Sequence, residues 1–239
     1  MYALHNDEVR TYFMLADEVR DPQRLASFAA LLSPQETARM QRFVRAENRH
    51  EYLVAHALVR LALSRFAPVH SAAWVFTAQE HGRPVVATPA GTRLTFSLSH
   101  CQGLVACAIA VDRDVGVDVE AAGRATGNLS VADQFFSAAE TAMLHACPQQ
   151  QQEERFLQLW THKEAYLKAR GLGLALPLNG FSFVITEPDQ TAVSFSPSVP
   201  DDPLHWQFAR ARPSANHVLA VAARVGQGGR IKISVEAFV

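Results

Sequence analysis

Twice along this chain, a helical pattern precedes a series of short apolar runs separated by turn residues. Helices set ahead of short, turn-connected strands indicate an α+β chain. In the first pass a strand is expected at 11–16. A helix start follows at Ser33-Pro34-Gln35-Glu36, where Ser33 caps, Pro34 suits the first turn and Glu36 closes a capping box. Apolar positions carry this helix to about Phe66, and Pro68 ends it. Strand-like runs come next at 74–77, 94–98, 104–111 and 115–119. Turn signals at His81-Gly82-Arg83-Pro84, Pro89-Ala90-Gly91, Gln102-Gly103 and Asp112-Arg113-Asp114 separate them. The second pass predicts helices at 130–146 and 153–170, then strand-like runs at 180–186, 191–195, 204–211, 216–225 and 231–235. The run Gln149-Gln150-Gln151-Gln152 reads as a loop between the two helices. Small, polar residues around 123–128 place the divide there, giving a first half of 1–123 and a second of 124–239. No sequence repeat links the halves, so their likeness is one of topology.

Several classes of function fall away. The chain has 239 residues, 49% of them hydrophobic, enough to bury a core in one large domain or two small ones. Its 22 basic and 23 acidic side chains leave a formal charge of -1, which excludes a bulk polycation that holds nucleic acid by net charge. The longest wholly apolar run, Leu104–Val111, is too short to span a bilayer. No basic region followed by an apolar stretch opens the sequence, so no secretory signal is read there. Cys101, Cys107 and Cys147 are few, odd in number and without zinc spacing, which fits a reducing cytoplasm.

Five segments carry chemistry. In Gly116-Val117-Asp118-Val119-Glu120, strand alternation sends Val117 and Val119 to a core and projects Asp118 and Glu120 together. Two adjacent carboxylates suit Mg²⁺, or else form a solvated strand face. In Trp160-Thr161-His162-Lys163-Glu164-Ala165-Tyr166-Leu167-Lys168, Glu164 and Lys168 are spaced i, i+4 on one helix face. They form an exposed ion pair, or a third carboxylate and a cation for phosphoryl chemistry. Ser99 and His100 stand at a strand end, where they hold an anion or simply shape a turn. Ser99 lacks the Gly-x-Ser-x-Gly elbow of a hydrolase nucleophile. Gly82-Arg83-Pro84 is a turn that can present a guanidinium to phosphate. Between Arg39 and Arg65 the first helix carries six Arg besides Glu47 and Glu51, either a solvated face or a docking site for an anionic ligand or acidic protein. A metal-dependent nuclease or phosphodiesterase would also use clustered carboxylates and a lysine.

In this order the segments resemble the Sfp-type 4′-phosphopantetheinyl transferase family. The likeness rests on Gly116-Val117-Asp118-Val119-Glu120, then Trp160 to Lys168 with Gly171 and Gly173 after it, together with Leu98-Ser99-His100, Gly82-Arg83-Pro84, Gln41-Arg42-Phe43 and Phe135-Phe136-Ser137-Ala138-Ala139-Glu140. Arg83 stands where the family usually has Lys, and Glu36 falls near a basic position of some relatives. The resemblance implies a monomeric pseudo-dimer of two similar α/β halves with the active site at their interface. It implies coenzyme A as donor, Mg²⁺, and the serine of an apo acyl or peptidyl carrier protein as acceptor. On that basis Asp118, Glu120 and Glu164 are expected to hold Mg²⁺, with Glu164 as base and Lys168 against the attacked phosphate. Arg39, Arg83, Ser99, His100 and Lys163 are expected to contact coenzyme A. No nucleic acid or membrane partner is implied.

Overall fold

A computed structural model describes residues 3–123, 128–186, 190–226 and 229–239. The chain opens with β1 (Glu8–Leu15), then α1 (Pro22–Ala29), α2 (Pro34–Gln41) and α3 (Ala46–Ser64). A hairpin of β2 (Val75–Ala78) and β3 (Pro84–Thr88) leads into β4 (Leu94–Cys101) and β5 (Leu104–Val111). The same plan then recurs. β6 (Val115–Ala121) precedes α4 (Asn128–Phe135), α5 (Ala138–Ala146) and α6 (Gln149–Arg170). A hairpin of β7 (Phe181–Thr186) and β8 (Gln190–Phe195) leads into β9 (Trp206–Ser214) and β10 (His217–Arg224), and β11 (Lys232–Ala237) comes last.

The sheets repeat as well. One runs β11-β1-β5-β4, the other β6-β10-β9. In each, the middle strand of the matching trio is antiparallel to both neighbours, so β1, β5 and β4 correspond to β6, β10 and β9. The fold is α+β, made of two halves of one topology. Sheet membership separates them just before β6, because β6 pairs with β10 and β11 crosses back to lie parallel to β1. The sequence divide at 123/124 abuts residues 124–127, which lie outside the described residues.

Strand alternation sets the layers. On β5, Val105, Cys107 and Ile109 share a core with α3, while Leu104, Ala106, Ala108 and Ala110 face the second sheet. Val115, Val117, Val119 and Ala121 of β6 meet them there. That leaves Gly116, Asp118 and Glu120 on the α6 side. Gly116 permits the close approach of β6 to α6, since a Cβ at this position would stand 1.9 Å from the Ala165 carbonyl oxygen. The sheets also meet at their edges through side chains instead of ladder bonds. At one seam Ser97 Oγ accepts from Val117 N (3.1 Å) and Ser99 Oγ from Val119 N (3.3 Å). At the other, Gln207 Nε2 donates to the Ile231 carbonyl (2.7 Å) and Oε1 accepts from Ile231 N (3.1 Å).

Several local expectations change. The helix read from 34 to 66 is two helices, α2 and α3. Residues 42–45 break it without Pro or Gly, and Arg49 Nη1 reaches back to the Phe43 and Val44 carbonyls. The capping box of Ser33 and Glu36 forms as read. A second capping box, Ser137 with Glu140, divides 130–146 into α4 and α5. The glutamine run is not a loop; Gln149–Gln152 form the first turn of α6 behind Pro148. Gly171 ends α6 in the left-handed conformation, φ 66°, that glycine adopts without strain.

His162 is buried inside the second half, 1% exposed, with Nδ1 bonded to the Gln158 carbonyl (2.6 Å). Burial pulls its pKa from 6.5 to about 4. The folded pKa lies below the unfolded one, so this stabilisation is complete above 6.5 and is lost as pH falls towards 4. Denaturant titrations should show stability falling by on the order of 3 kcal/mol across that window. His162→Gln should remove most of that slope; an unchanged slope would assign it to other groups.

Candidate active site

The site forms where β6, β4 and α6 converge. Gly116 brings β6 against the helix, and Asp118 and Glu120 follow on the same face. Glu164 and Lys168, one helical turn apart, line the cavity that opens beside them. Lys168 Nζ donates to Asp118 Oδ1 at 2.6 Å and to Ser99 Oγ at 2.8 Å. Ser99 Oγ in turn donates to Asp118 Oδ1 at 2.9 Å. The Trp160 indole opposes the rise in the Glu120 pKa, and its ring stacks on Phe136 and Phe156.

Electrostatics at this junction are strained. Asp118 is 4% exposed, and its Oδ2 is buried with no hydrogen-bond partner. Burial, then the Asp118 charge, raise Glu120 to about 7. Burial and the Asp118 charge also raise Glu164, against the opposing pull of Lys168. Three carboxylates, two of them raised by burial and the neighbouring charge and one with a bare buried oxygen, form a hard oxygen donor set that fits a divalent cation such as Mg²⁺. Among the described residues they are not drawn into a ready-made metal cluster.

A groove runs away from this junction. Its inner part, about 250 Å³, is lined by Arg83, Phe96, Leu98, Glu164, Lys168 and Gly171 among others. Its outer part, about 390 Å³, shares Gly82, Pro84, Phe96 and Leu98 and continues to Arg39, Tyr52, His56 and His100. Enclosure in the groove, followed by the Lys168 charge, pulls His100 below its ordinary pKa and favours the neutral ring at pH 7. In the outer wall, Glu36 takes hydrogen bonds from Ser33 N, His56 Nδ1 (2.9 Å) and the buried Arg60 guanidinium. These bonds outweigh its burial and hold its pKa at about 2. Glu36 thus presents an ionised but already partnered carboxylate.

Asp118, Glu120, Glu164, Lys168, Ser99, His100, Arg83 and Arg39 all fall on this junction or its groove. Lys163 does not. It is fully buried, bridging Nζ to Glu140 Oε2 (2.9 Å) and donating to the Leu178 and Phe181 carbonyls (2.7 Å each). All three ammonium protons are used, which removes Lys163 from the expected coenzyme A contacts. Ser99 also differs from expectation. Its proton goes to Asp118 and its lone pairs to Lys168 and Val119 N, leaving none for a phosphate. Ser99 orients Lys168 and Asp118. Arg83 Nη1 donates to the Ala169 carbonyl (3.0 Å), fastening the β2–β3 turn to the end of α6, while its Nε is buried without a partner. Sequence reasoning missed Ser97, although its spacing from Ser99 places both on one strand face. It also missed Trp160 as a Glu120 partner and the Glu36–His56–Arg60 cluster, which no local signal reveals.

Comparison with known proteins agrees with this geometry. Residues 114–222 match the model of the 4′-phosphopantetheinyl transferase superfamily, and residues 21–112 match that of the 4′-phosphopantetheinyl transferase N-terminal region. The first match begins almost where β6 opens the second half. The 4′-phosphopantetheinyl transferase HetI of Nostoc sp. is 32% identical over 221 residues, covering 92% of this chain and 89% of that protein. Sfp of Bacillus subtilis, also a 4′-phosphopantetheinyl transferase, is 29% identical over 190 residues, 80% of this chain and 83% of its own. With site, topology and near full-length similarity in agreement, the chain belongs to the 4′-phosphopantetheinyl transferase superfamily.

Proposed function

We propose that this chain transfers the 4′-phosphopantetheine arm of coenzyme A to a serine hydroxyl of an apo acyl or peptidyl carrier protein. Adenosine 3′,5′-bisphosphate is released. The observation that carries the reading is Lys168, held on Asp118 at 2.6 Å and lining, with Glu164, the inner end of a groove that can take a nucleotide. The serine Oγ–phosphorus bond forms as the pyrophosphate P–O bond breaks, and that electron pair leaves with the bisphosphate. Glu164, its pKa raised by burial, takes the serine proton directly or through a water. Lys168 places its charge on the attacked phosphoryl group, where negative charge builds. Arg83, His100 and Arg39 mark the course of the coenzyme A phosphates along the groove. Asp118, Glu120 and Glu164 would hold Mg²⁺, which supplies charge neutralisation on the pyrophosphate when bound.

The test is direct. The protein is incubated with coenzyme A, MgCl₂ and several apo-carrier proteins, and each carrier is weighed by mass spectrometry. A carrier should gain the mass of one phosphopantetheine, and chelation of Mg²⁺ should stop the gain. Carriers that all keep their mass would overturn the reading.

A further inference from the structure

In the wall of the outer groove, α2 and α3 are joined through one carboxylate. Glu36 Oε1 accepts from His56 Nδ1 at 2.9 Å, and Oε2 accepts from the Arg60 guanidinium and from Ser33 N. His56 and Arg60 are one turn apart on α3, but they are not equivalent. The Arg60 side chain is 2% exposed; it donates to the Trp74 carbonyl and lies over the Phe76 ring at 4.9 Å. That seals it from any ligand, and its charge balances Glu36. The His56 side chain is 23% exposed and lines the groove. Tyr52 stacks on its ring at 3.9 Å, and Glu36 fixes its Nδ1. An ionised carboxylate only accepts, so Nδ1 carries the proton and Nε2 is the nitrogen left to change state. Among the described residues Nε2 has no hydrogen-bond partner.

The groups facing His56 are Glu36 and Arg39 of α2, Tyr52 and Arg60 of α3, and His100 of β4. Burial keeps the Tyr52 phenol neutral, and burial followed by the Lys168 charge pulls His100 towards its neutral ring. With Arg60 and Glu36 balanced, Arg39 and the imidazoles leave a wall that suits an anion. The nucleotide of coenzyme A carries two anionic groups. Lys168 stands at the inner end for the pyrophosphate, which leaves the ribose 3′-phosphate for the outer wall.

We infer that His56, positioned by Glu36, is a specificity residue for the 3′-phosphate of the donor nucleotide, an assignment that rests on the transferase reading above. An imidazole exchanges a proton in the physiological range, and a protonated Nε2 makes a charge-assisted bond to a phosphate oxygen. Glu36 stands near a basic position of some relatives; here it holds a cation-forming side chain of α3 in place of supplying a charge itself. Recognition of the 3′-phosphate thereby becomes sensitive to pH.

Calorimetric Kd values for coenzyme A and for 3′-dephospho-coenzyme A, in MgCl₂, test it on the wild type, His56→Gln and Glu36→Gln. Thermal melting checks that each variant is folded. At about pH 6, His56→Gln should weaken coenzyme A binding about tenfold or more, the loss of one charge-assisted hydrogen bond. At about pH 8 the loss should shrink to about threefold or less, as the wild-type imidazole gives up its proton. For the dephospho analogue the variant should stay within about twofold of wild type at both pH values, because the group that His56 meets is missing. The 3′-phosphate gains charge over the same range, so the gap between wild type and variant reads the histidine, and the wild-type trend alone does not. Glu36→Gln should weaken coenzyme A binding in the same sense. An equal loss for both nucleotides, or a gap that ignores pH, would overturn the assignment. So would tighter coenzyme A binding by Glu36→Gln, which would make Glu36 a repelling group. Wild-type protein that binds neither nucleotide would overturn the transferase reading itself, and this assignment with it.

Discussion

Glu164→Gln should lower kcat for carrier modification by about 10²- to 10⁴-fold, the range lost with a positioned general base. The substitution keeps size and planarity, so α6 and its packing are retained. It removes a group whose proton affinity is raised by burial and by the Asp118 charge. A carboxamide cannot take the serine proton, and it is a weaker partner for a hard cation. Rates are best measured at saturating Mg²⁺, coenzyme A and carrier, so that weaker binding does not pass for lost chemistry. A variant with near-normal kcat would remove Glu164 from the proton transfer. Attention would then turn to Glu120, raised to about 7 in the same cluster.

Lys163→Met should have the largest effect on stability. The substitution leaves the Glu140 carboxylate, 1% exposed, without its cation, and the Leu178 and Phe181 carbonyls without a donor. Removing one partner of a buried ion pair costs about 3–5 kcal/mol. For a chain of this size that lowers Tm by roughly 10 °C. The second change Glu140→Leu should recover part of the loss but not all, because Ser137 N and Phe183 N also depend on that carboxylate. At low temperature, KM for coenzyme A should stay close to wild type, since Lys163 bonds within the core. A raised KM with normal stability would place Lys163 against the ligand after all.

The neighbouring lysines show what the sequence made legible. Lys168 was readable because the patterns around it are local: Glu164 precedes it by four residues on one helix face, and its partner Asp118 alternates outward on a strand. Lys163 shares that motif, yet its partner Glu140 lies in another helix, and spacing says nothing about which face of α6 turns to solvent. The capping residue Ser33 was readable because a cap acts within a few residues. Ser137 and Glu140 carry the same S-x-x-E pattern, and reading it would have separated α4 from α5. The α2–α3 break had no such marker. Its sequence, Arg42-Phe43-Val44-Arg45, contains no helix breaker, and the turn depends on Arg49 reaching back to two carbonyls. Arg83 was legible as a cation in a turn, but its bond to Ala169 joins the two halves and exists only in the folded chain.

The edge-to-edge seams have a consequence for how the molecule behaves among its neighbours. A strand edge with free amides and carbonyls invites pairing with another chain. Here β4 and β6 cover one another through Ser97 and Ser99, and β9 and the start of β11 through Gln207. The seven strands therefore close into a ring whose rims are largely shielded from self-association. Either half by itself would bare two such rims, and the natural way to cover them would be a second copy. Duplication within one chain supplies that copy permanently. It also frees the halves to diverge, so that the helix-facing side of β6 carries carboxylates, while the helix-facing side of its counterpart β1 holds Tyr12 and Met14 in the core.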